Sequence, residues 1–335
     1  MAKKIMVVGG GIVGCLTALN LADKGCQVTL VERNVVAAQT SGESSWAGAG
    51  ILFPLLPWMY KDAVNQLAIA GADLYPALCD RLLATTGIDP EYIKSGMQIL
   101  SPIDETAALN WCKKYRIPIE KNANGLLLPT IAQVRPPHLL QALRQLLIQE
   151  NIRLLENTQL QPLANCAKIN SWRTNTGLVL EADAFVVTSG AWSFDLLKDT
   201  AAGLNIKPMR GQILLYENVK ESPQNIIYQN GFYLVPRRDG LLLAGSTLED
   251  VGFDTRTTIE VKQELQTKAE SIMPSLKHAA IRKHWSGLRP GTPDNLPTIA
   301  AHPSIKNLYL NTGHFRYGLT MAPASAEQVA NLICA

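Results

Sequence analysis

The first thirty residues show three hydrophobic patterns in succession. Lys4 to Val8 is an apolar run typical of a buried strand, and a cluster of glycines follows it. Ile12 to Lys24 then repeats apolar residues at helical spacing, and Gly25 is placed to end that helix. A second run rich in β-branched residues, Gln27 to Glu32, has the pattern of another strand. The pattern predicts a strand–turn–helix–strand unit.

The glycine cluster of this unit has the spacing of a dinucleotide fingerprint. Gly9, Gly11 and Gly14 lie between the predicted strand and helix, and Glu32 lies at the tip of the second strand. Gly9 would make the tight turn, Gly11 would let the backbone approach a pyrophosphate, and Gly14 would permit close packing of the helix. Glu32 would accept hydrogen bonds from ribose hydroxyls. The motif predicts a dinucleotide site and leaves NAD and FAD both open.

The same segment also has features of a secretion signal. Lys3 and Lys4 precede an uncharged run, and the residues before Cys15 resemble a lipoprotein cleavage box. The glycines and the strand pattern after them favour the dinucleotide unit. A lipid-anchored binding protein is the alternative from another functional class.

Later segments predict a second set of elements. Gly211 to Tyr216 and Tyr233 to Val235 read as strands, and Leu241 to Gly245 would pair back across an Asp-Gly turn. Leu319 to Ile333 has helical spacing, with Pro323 close enough to its start to be tolerated. Ser44 to Tyr60 is uncharged and rich in small residues, which would let its backbone lie against a flat ring system.

Composition narrows the functional classes. The 335 residues, 47% hydrophobic and 18% charged, predict two well-packed domains. The net charge of +3 is spread along the chain without a run of five like charges, so no nucleic-acid partner is expected. Six cysteines without CxxC spacing and five histidines without HExxH spacing predict no metal and reduced thiols in a cytoplasmic protein.

Six motifs together resemble one family. They are VVGGGIVG with Glu32, SSWAGAGILFPLLPW from Ser44, VVTSGAWS from Val186, GFYLVPRRDGLLLAGST from Gly231, GLRPGTPDNLP from Gly287, and GHFRYG from Gly313 with Ala322 to Ala324. The sequence resembles, over essentially its whole length, the glycine oxidase branch of the D-amino-acid-oxidase-like FAD oxidoreductases, a branch that includes thiamine-pathway enzymes.

The resemblance implies an α/β fold with two interleaved domains. Residues 1–85, 133–203 and 284–335 would form a Rossmann-like FAD-binding domain of the D-amino-acid-oxidase type. Residues 86–132 and 204–283 would form an α+β substrate domain on a mixed or antiparallel sheet. The FAD domain would be discontinuous because the segments expected to contact the cofactor recur along the chain.

The resemblance also implies a reaction and its residues. Glycine or another small amine would lose a hydride from Cα to flavin N5, the imine would be hydrolysed to a 2-oxo acid and ammonia, and O2 would be reduced to H2O2. Arg289 would clamp the substrate carboxylate with Tyr233, Arg316 would contact substrate or flavin, and Leu248 would lie at the pocket wall. Tyr317 departs from the family's smaller polar residue and would narrow or gate the pocket.

The resemblance assigns the following residues to the cofactor: Gly9, Gly11, Ile12, Val13, Gly14, Glu32, Arg33, Ser44, Ser45, Ala49, Gly50, Ile51, Leu160, Gly190, His314, Phe315, Arg316, Tyr317, Gly318, Leu319 and Thr320. The turns around Arg289 and Arg316 contain no cysteine, so we expect non-covalent FAD, with His314 the one residue placed for attachment.

Three alternatives stay open within the flavoenzymes. The substrate would be sarcosine or a D-amino acid, the electron acceptor would be a quinone, or the imine would pass to a thiazole-forming enzyme. We expect no membrane span, and relatives suggest a homo-oligomer.

Overall fold

A computed structural model describes residues 2–39 and 42–335 of the chain. The helices are α1 (Ile12–Asp23), α2 (Ser44–Ala47), α3 (Asp62–Thr86), α4 (Glu105–Tyr115), α5 (Pro136–Gln149), α6 (Ser193–Leu197), α7 (Ile259–Ile272) and α8 (Gly318–Cys334). The strands are β1 (Lys4–Val8), β2 (Gln27–Val31), β3 (Met97–Leu100), β4 (Glu120–Asn122), β5 (Gly125–Leu128), β6 (Arg153–Leu155), β7 (Trp172–Arg173), β8 (Val179–Leu180), β9 (Ala184–Val187), β10 (Lys207–Glu217), β11 (Ile226–Gln229), β12 (Phe232–Pro236), β13 (Leu242–Gly245), β14 (Ala280–Gly291), β15 (Thr298–Ala301) and β16 (Leu308–Thr312). Short 3₁₀ helices cover Pro57–Met59, Gly190–Trp192, Pro274–His278 and Phe315–Tyr317.

The first sheet confirms the predicted strand–turn–helix–strand unit. Its strand order is β15-β16-β9-β1-β2-β6, and all neighbours are parallel except β15 and β16. Side chains of β1 alternate between two apolar layers, as strand geometry requires. Ile5 and Val7 pack towards α1, α5 and α8, whereas Met6 and Val8 pack with Phe185 on the opposite face.

Helix α8 contains Pro323 and, as predicted, continues past it to Cys334. Proline lacks the N–H that would bond to the carbonyl four residues earlier, which here belongs to Leu319. The hydroxyl of Tyr75 in α3 donates to that carbonyl at 2.7 Å. The proline is therefore tolerated because a neighbouring helix supplies the missing donor.

The second sheet has the order β14-β10-β13-β12-β11-β3-β5-β4. Its neighbours are antiparallel apart from β11 and β3. The predicted hairpin is confirmed, because Tyr233 pairs with Gly245 and Pro236 pairs with Leu242. One face packs on α7 through Leu265 and Ala269, and the other face carries Tyr233.

Strand β14 crosses one of the expected domain boundaries. The expected boundary between residues 283 and 284 falls inside β14, which pairs with β10 from Ala280 to Gly291. A boundary outside β14 would keep this strand whole, and the division itself stays a prediction. Every helix in the described part of the chain is too short or too polar to cross a lipid bilayer.

Candidate functional site

A cavity of about 330 Å³ lies where the carboxyl ends of the parallel strands meet the second sheet. Ligands of open α/β folds bind at this end of the strands. Val8, Val31 and Thr188 line one part of it, and Gly211, Ile213 and Arg289 line the other. Of the residues expected to bind the cofactor, the cavity is lined by Gly9, Gly11, Ile12, Val13, Glu32, Arg33, Ser44, Ser45, Leu160, Gly190, His314, Phe315, Arg316, Gly318 and Leu319.

The glycine turn is packed too closely for any side chain. Gly9 has φ of +111°, and an added Cβ would lie 2.8 Å from the backbone of Thr188. A Cβ on Gly14 would overlap the carbonyl oxygen of Gly9, so Gly14 serves packing and does not line the cavity. This agrees with the packing role expected for the third glycine.

The first turn of α1 offers donors to an anion. Ile12 N donates to Ser45 Oγ at 3.0 Å, and the N–H group of Val13, which lines the cavity, has no acceptor among the described residues. Free N–H groups at a helix N-terminus favour a phosphate. The turn therefore fits the pyrophosphate of a dinucleotide.

Glu32 is fixed by two backbone donors. Gly10 N donates to its Oε2 at 2.7 Å and Asn34 N donates to its Oε1 at 2.9 Å. Each carboxylate oxygen keeps a free lone pair for a ribose hydroxyl. Beside it, the guanidinium of Arg33 lies 3.6 Å from the ring centroid of Trp192, another cavity residue.

The segment Ala49 to Ile51 is not among the cavity-lining residues, and each of its carbonyls is bonded. Arg237 Nη2 donates to Ala49 O at 2.6 Å, Val134 N donates to Gly50 O at 2.9 Å, and Thr320 Oγ1 donates to Ile51 O at 3.1 Å. The hydroxyl of Thr320, which is also not a cavity-lining residue, is therefore used in the bond to Ile51. The expected cofactor contacts of these four residues stay predictions.

Arg237 is a buried cation that the sequence analysis missed. It is 8% exposed, and its Nη1 donates to Gln133 Oε1 at 2.7 Å and to Val134 O at 3.0 Å. Burial, and secondly the positive charge of Arg135, lower the pKa of Arg237 to about 10. Arg237 thus ties the second sheet to Ala49 without a hydrogen-bonded carboxylate.

Arg289 points its guanidinium into the cavity from β14. Its Nη1 donates to Thr247 O at 3.0 Å and its Nη2 donates to Ser246 Oγ at 2.8 Å. Within residues 2–39 and 42–335 no carboxylate forms an ion pair with it. Burial lowers the pKa of Arg289, but a guanidinium keeps its proton in proteins. The cavity therefore holds a fixed positive charge on a guanidinium that has no ion-pair partner among the described residues.

A tyrosine and a second arginine lie close to Arg289, and a further tyrosine lies close to that second arginine. Tyr233 is 6% exposed and interacts with Arg289, raising its pKa, whereas the nearby charge of Arg316 lowers it. Tyr228 lies opposite Tyr233 in the sheet, and burial first, then Tyr60, raise its pKa. Arg316 is exposed and lines the cavity. Arg289 and Arg316 thus both line the cavity, whereas Tyr233 and Tyr228 are not among its lining residues, and the expected contact of Tyr233 with substrate stays a prediction.

Two expected pocket residues lie elsewhere. Leu248 is 43% exposed and is not among the lining residues, so its role at the pocket wall stays a prediction. Tyr317 is buried against Val64 and Met321 and is likewise outside the lining. Its hydroxyl donates to Tyr60 Oη at 2.6 Å, and burial raises its pKa. The ring therefore anchors the loop before α3 and does not itself narrow the cavity.

His314 is buried in the turn before α8. Its Nε2 lies 3.0 Å from Ser325 Oγ, and burial lowers its pKa to about 3. The imidazole is therefore neutral at physiological pH. In the described part of the chain no cysteine lines the cavity, and no group of three or more His, Cys, Asp or Glu is arranged to hold a metal ion.

Asn311 and Gly211 also line the cavity and were missed by the sequence analysis. Asn311 Nδ2 donates to Thr17 Oγ1 at 3.1 Å, and its buried Oδ1 has no partner among the described residues. A polar residue near the carboxyl end of an apolar strand was the available signal for Asn311. For Gly211 the signal was a glycine inside a strand, which often marks a close approach.

Comparison with known proteins identifies the family. A model of the family described as FAD dependent oxidoreductase matches residues 4–332. The chain is 39% identical to a glycine oxidase of Pseudomonas aeruginosa PAO1, over 99% of this chain and 95% of that protein. It is 30% identical, over 99% of its length, to a Trichormus variabilis protein named bifunctional protein ThiO/ThiG, of which it spans 53%. The crystal structure of a glycine oxidase from Bacillus cereus matches with a TM-score of 0.88 at 25% identity, covering 99% of this chain and 94% of that one. The chain therefore belongs to the family of FAD dependent oxidoreductases.

Proposed function

We propose that the chain is an FAD-dependent oxidase of glycine and other small amino acids or amines. The observation that carries this proposal is the Arg289 guanidinium, which opens into the cavity that contains the dinucleotide turn and has no ion-pair partner in the described part of the chain. A planar guanidinium suits bidentate binding of a carboxylate. The glycine oxidases among the relatives support the choice of substrate class.

The glycine turn, the α1 N-terminus and Glu32 would hold FAD by its pyrophosphate and ribose. Bound FAD supplies the chemistry of hydride acceptance from the substrate α-carbon. The protein's part is to orient the substrate, and orientation alone contributes several kcal/mol to such reactions. Arg289 would fix the carboxylate, and Tyr233 would donate a hydrogen bond to it.

The charges around this end of the cavity also affect the substrate amine. Arg289 and Arg316 place positive charge nearby, and like charge lowers the pKa of an ammonium group. His314 adds no charge because burial keeps it neutral. These groups would favour the neutral amine, the form from which a hydride leaves, and no separate catalytic base is required.

Variants at two arginines of β14 test the substrate assignment. Arg289→Ala should raise the KM for glycine by about 10- to 150-fold, the loss of 1.5–3 kcal/mol expected for hydrogen bonds to a charged group. FAD should still bind. Arg282→Ala is the matched control, because Arg282 lies exposed on the same strand and interacts with Glu217 at 3.8 Å. Unchanged glycine kinetics in Arg289→Ala would refute the assignment.

The preferred substrate is tested by anaerobic titration with glycine, sarcosine and D-alanine, followed by flavin absorbance. Bleaching identifies each compound that reduces the cofactor. We further propose O2 as the acceptor, and release of H2O2 under air separates this from a quinone-dependent dehydrogenase. No bleaching by any of the three compounds would refute the proposed function.

The relative named bifunctional protein ThiO/ThiG supports a role in supplying imine to a thiazole synthase. Added thiazole synthase should then convert glycine-derived imine in a coupled assay. A cytoplasmic location and homo-oligomerisation are also proposals, and light scattering of the purified holoenzyme tests the latter.

A further inference from the structure

Two cysteines far apart in sequence meet at the ends of the helices that flank the cofactor site. Cys26 follows the turn after α1, and Cys334 is the last residue of α8. Their Sγ atoms are 3.7 Å apart. Cys334 is exposed and Cys26 is half-buried, whereas Cys15, Cys79 and Cys112 are buried. Solvent therefore reaches this pair of thiols.

The thiol of Cys26 ionises less readily than an unperturbed cysteine. Burial first, and then the neighbouring Cys334, raise the pKa of Cys26 to about 11, while Lys3 and Lys24 act in the opposite direction. Lys3 Nζ also donates to Ile333 O at 2.7 Å, next to Cys334. Because Cys334 is the more exposed of the two and the raised pKa of Cys26 disfavours its thiolate, peroxide would react first at Cys334.

We propose that Cys26 and Cys334 form a reversible disulfide when the protein meets hydrogen peroxide. The Cys334 thiolate attacks one peroxide oxygen, the O–O bond breaks, and the departing hydroxide takes a proton to become water. Cys26 sulfur then attacks the resulting sulfenic acid, the S–O bond breaks, and the second hydroxide leaves as water with the Cys26 proton. Two thiols are oxidised and one peroxide is reduced to two waters.

The bridge would fasten the two helices that begin at the cofactor cavity. Ile12 at the start of α1 and Gly318 at the start of α8 both line it. The helices pack side by side, and their far ends carry the cysteines. A disulfide that closes so long a loop restricts the unfolded chain, and we expect the melting temperature to rise by about 4–8 °C. The oxidase would be stabilised by its own product, a link that rests on the proposed function.

Added peroxide tests the bridge without turnover. Holoenzyme treated with H2O2 should lose two mass units and yield a linked peptide pair containing Cys26 and Cys334, reversibly with dithiothreitol. Cys26→Ser and Cys334→Ser should each abolish the linked peptide and the rise in melting temperature. Cys166→Ser, a half-buried cysteine elsewhere, should change neither. Over-oxidised Cys334 with no linked peptide in the wild type would overturn the proposal.

Turnover with glycine, with and without catalase, tests the source of the peroxide. The bridge should form during turnover and be suppressed by catalase. If added peroxide forms the bridge but glycine releases no peroxide, the proposed function fails and the disulfide stands. If glycine releases peroxide and neither treatment links the cysteines, the disulfide proposal fails alone.

Discussion

Replacement of Gly211 by alanine should displace the guanidinium of Arg289 although the arginine itself is not mutated. Gly211 lies in β10 opposite Gly287, and the Arg289 guanidinium fills the space where a side chain would stand. An added Cβ would overlap Nη1, Nη2 and Cζ of Arg289. Gly211 lies outside the left-handed backbone region, so alanine acts through its side chain and not through strain.

The size of the effect follows from the overlap. The guanidinium must move by roughly 1.2–1.4 Å to regain a van der Waals separation of ~3.5 Å. A misplacement of about 1 Å at a reacting site costs on the order of 100-fold in rate. We therefore expect kcat/KM for glycine to fall about 100-fold. Local overpacking should also destabilise the fold by about 1–3 kcal/mol.

Steady-state kinetics with glycine and fluorescence titration of FAD measure the two expected effects. The dissociation constant for FAD should stay within about twofold, since an added Cβ on Gly211 meets Arg289 and leaves the bonds of Glu32 to Gly10 N and Asn34 N in place. Gly291→Ala is the control for added bulk between the same two strands, because its Cβ would meet Met209 and Lys207 O and not the guanidinium of Arg289. If Gly211→Ala keeps the wild-type kcat/KM, the position of the Arg289 guanidinium over Gly211 does not contribute to substrate binding.

Three further predictions concern the cofactor side of the cavity. Glu32→Gln turns an amide donor towards Gly10 N or Asn34 N, where the wild-type carboxylate accepts a hydrogen bond. The FAD dissociation constant, measured by fluorescence quenching, should therefore rise about 10- to 100-fold. An unchanged dissociation constant would exclude Glu32 from the FAD site. His314 has a folded pKa of about 3, below its unfolded value near 6.5. The unfolded chain therefore binds the extra proton between these values, and stability should fall with falling pH by about 1.4 kcal/mol per unit. His314→Gln should flatten that slope in urea unfolding, and an unchanged slope would contradict a buried neutral imidazole. Arg237→Met leaves Ala49 O and Val134 O without their donor, so it should lower the free energy of unfolding by about 3 kcal/mol and alter the flavin absorbance. Arg237→Lys should restore part of the stability and part of the absorbance. A wild-type spectrum in Arg237→Met would show that Ala49 does not influence the flavin ring.

Elements whose signals are local were predictable from the sequence. The glycine turn of β1–α1–β2 and the β12–β13 hairpin combine strand periodicity with glycine at fixed positions, and both formed as expected. The end of β14 at Gly291 was not predicted, because an apolar pattern does not tell which sheet a strand will join. The expected boundary at 283/284 therefore fell inside a strand.

Contacts between distant segments were beyond the sequence pattern. Arg237 and Ala49 are 188 positions apart, and a charged residue after a strand ordinarily predicts an exposed side chain. Tyr317 was expected at the pocket because it follows Arg316, yet its ring turns into the core to meet Tyr60. Neighbours in sequence can thus face different environments across a single short turn.

The position of β14 has a consequence for how such enzymes diversify. The strand belongs to the second sheet, but its Arg289 reaches the cavity that the first sheet opens for the dinucleotide. Side chains elsewhere in the second sheet, such as Ile213 of β10 and Tyr228 of β11, can change without disturbing the β1–α1–β2 unit. New substrate preferences can therefore be acquired by mutation of one sheet while the other preserves a shared cofactor.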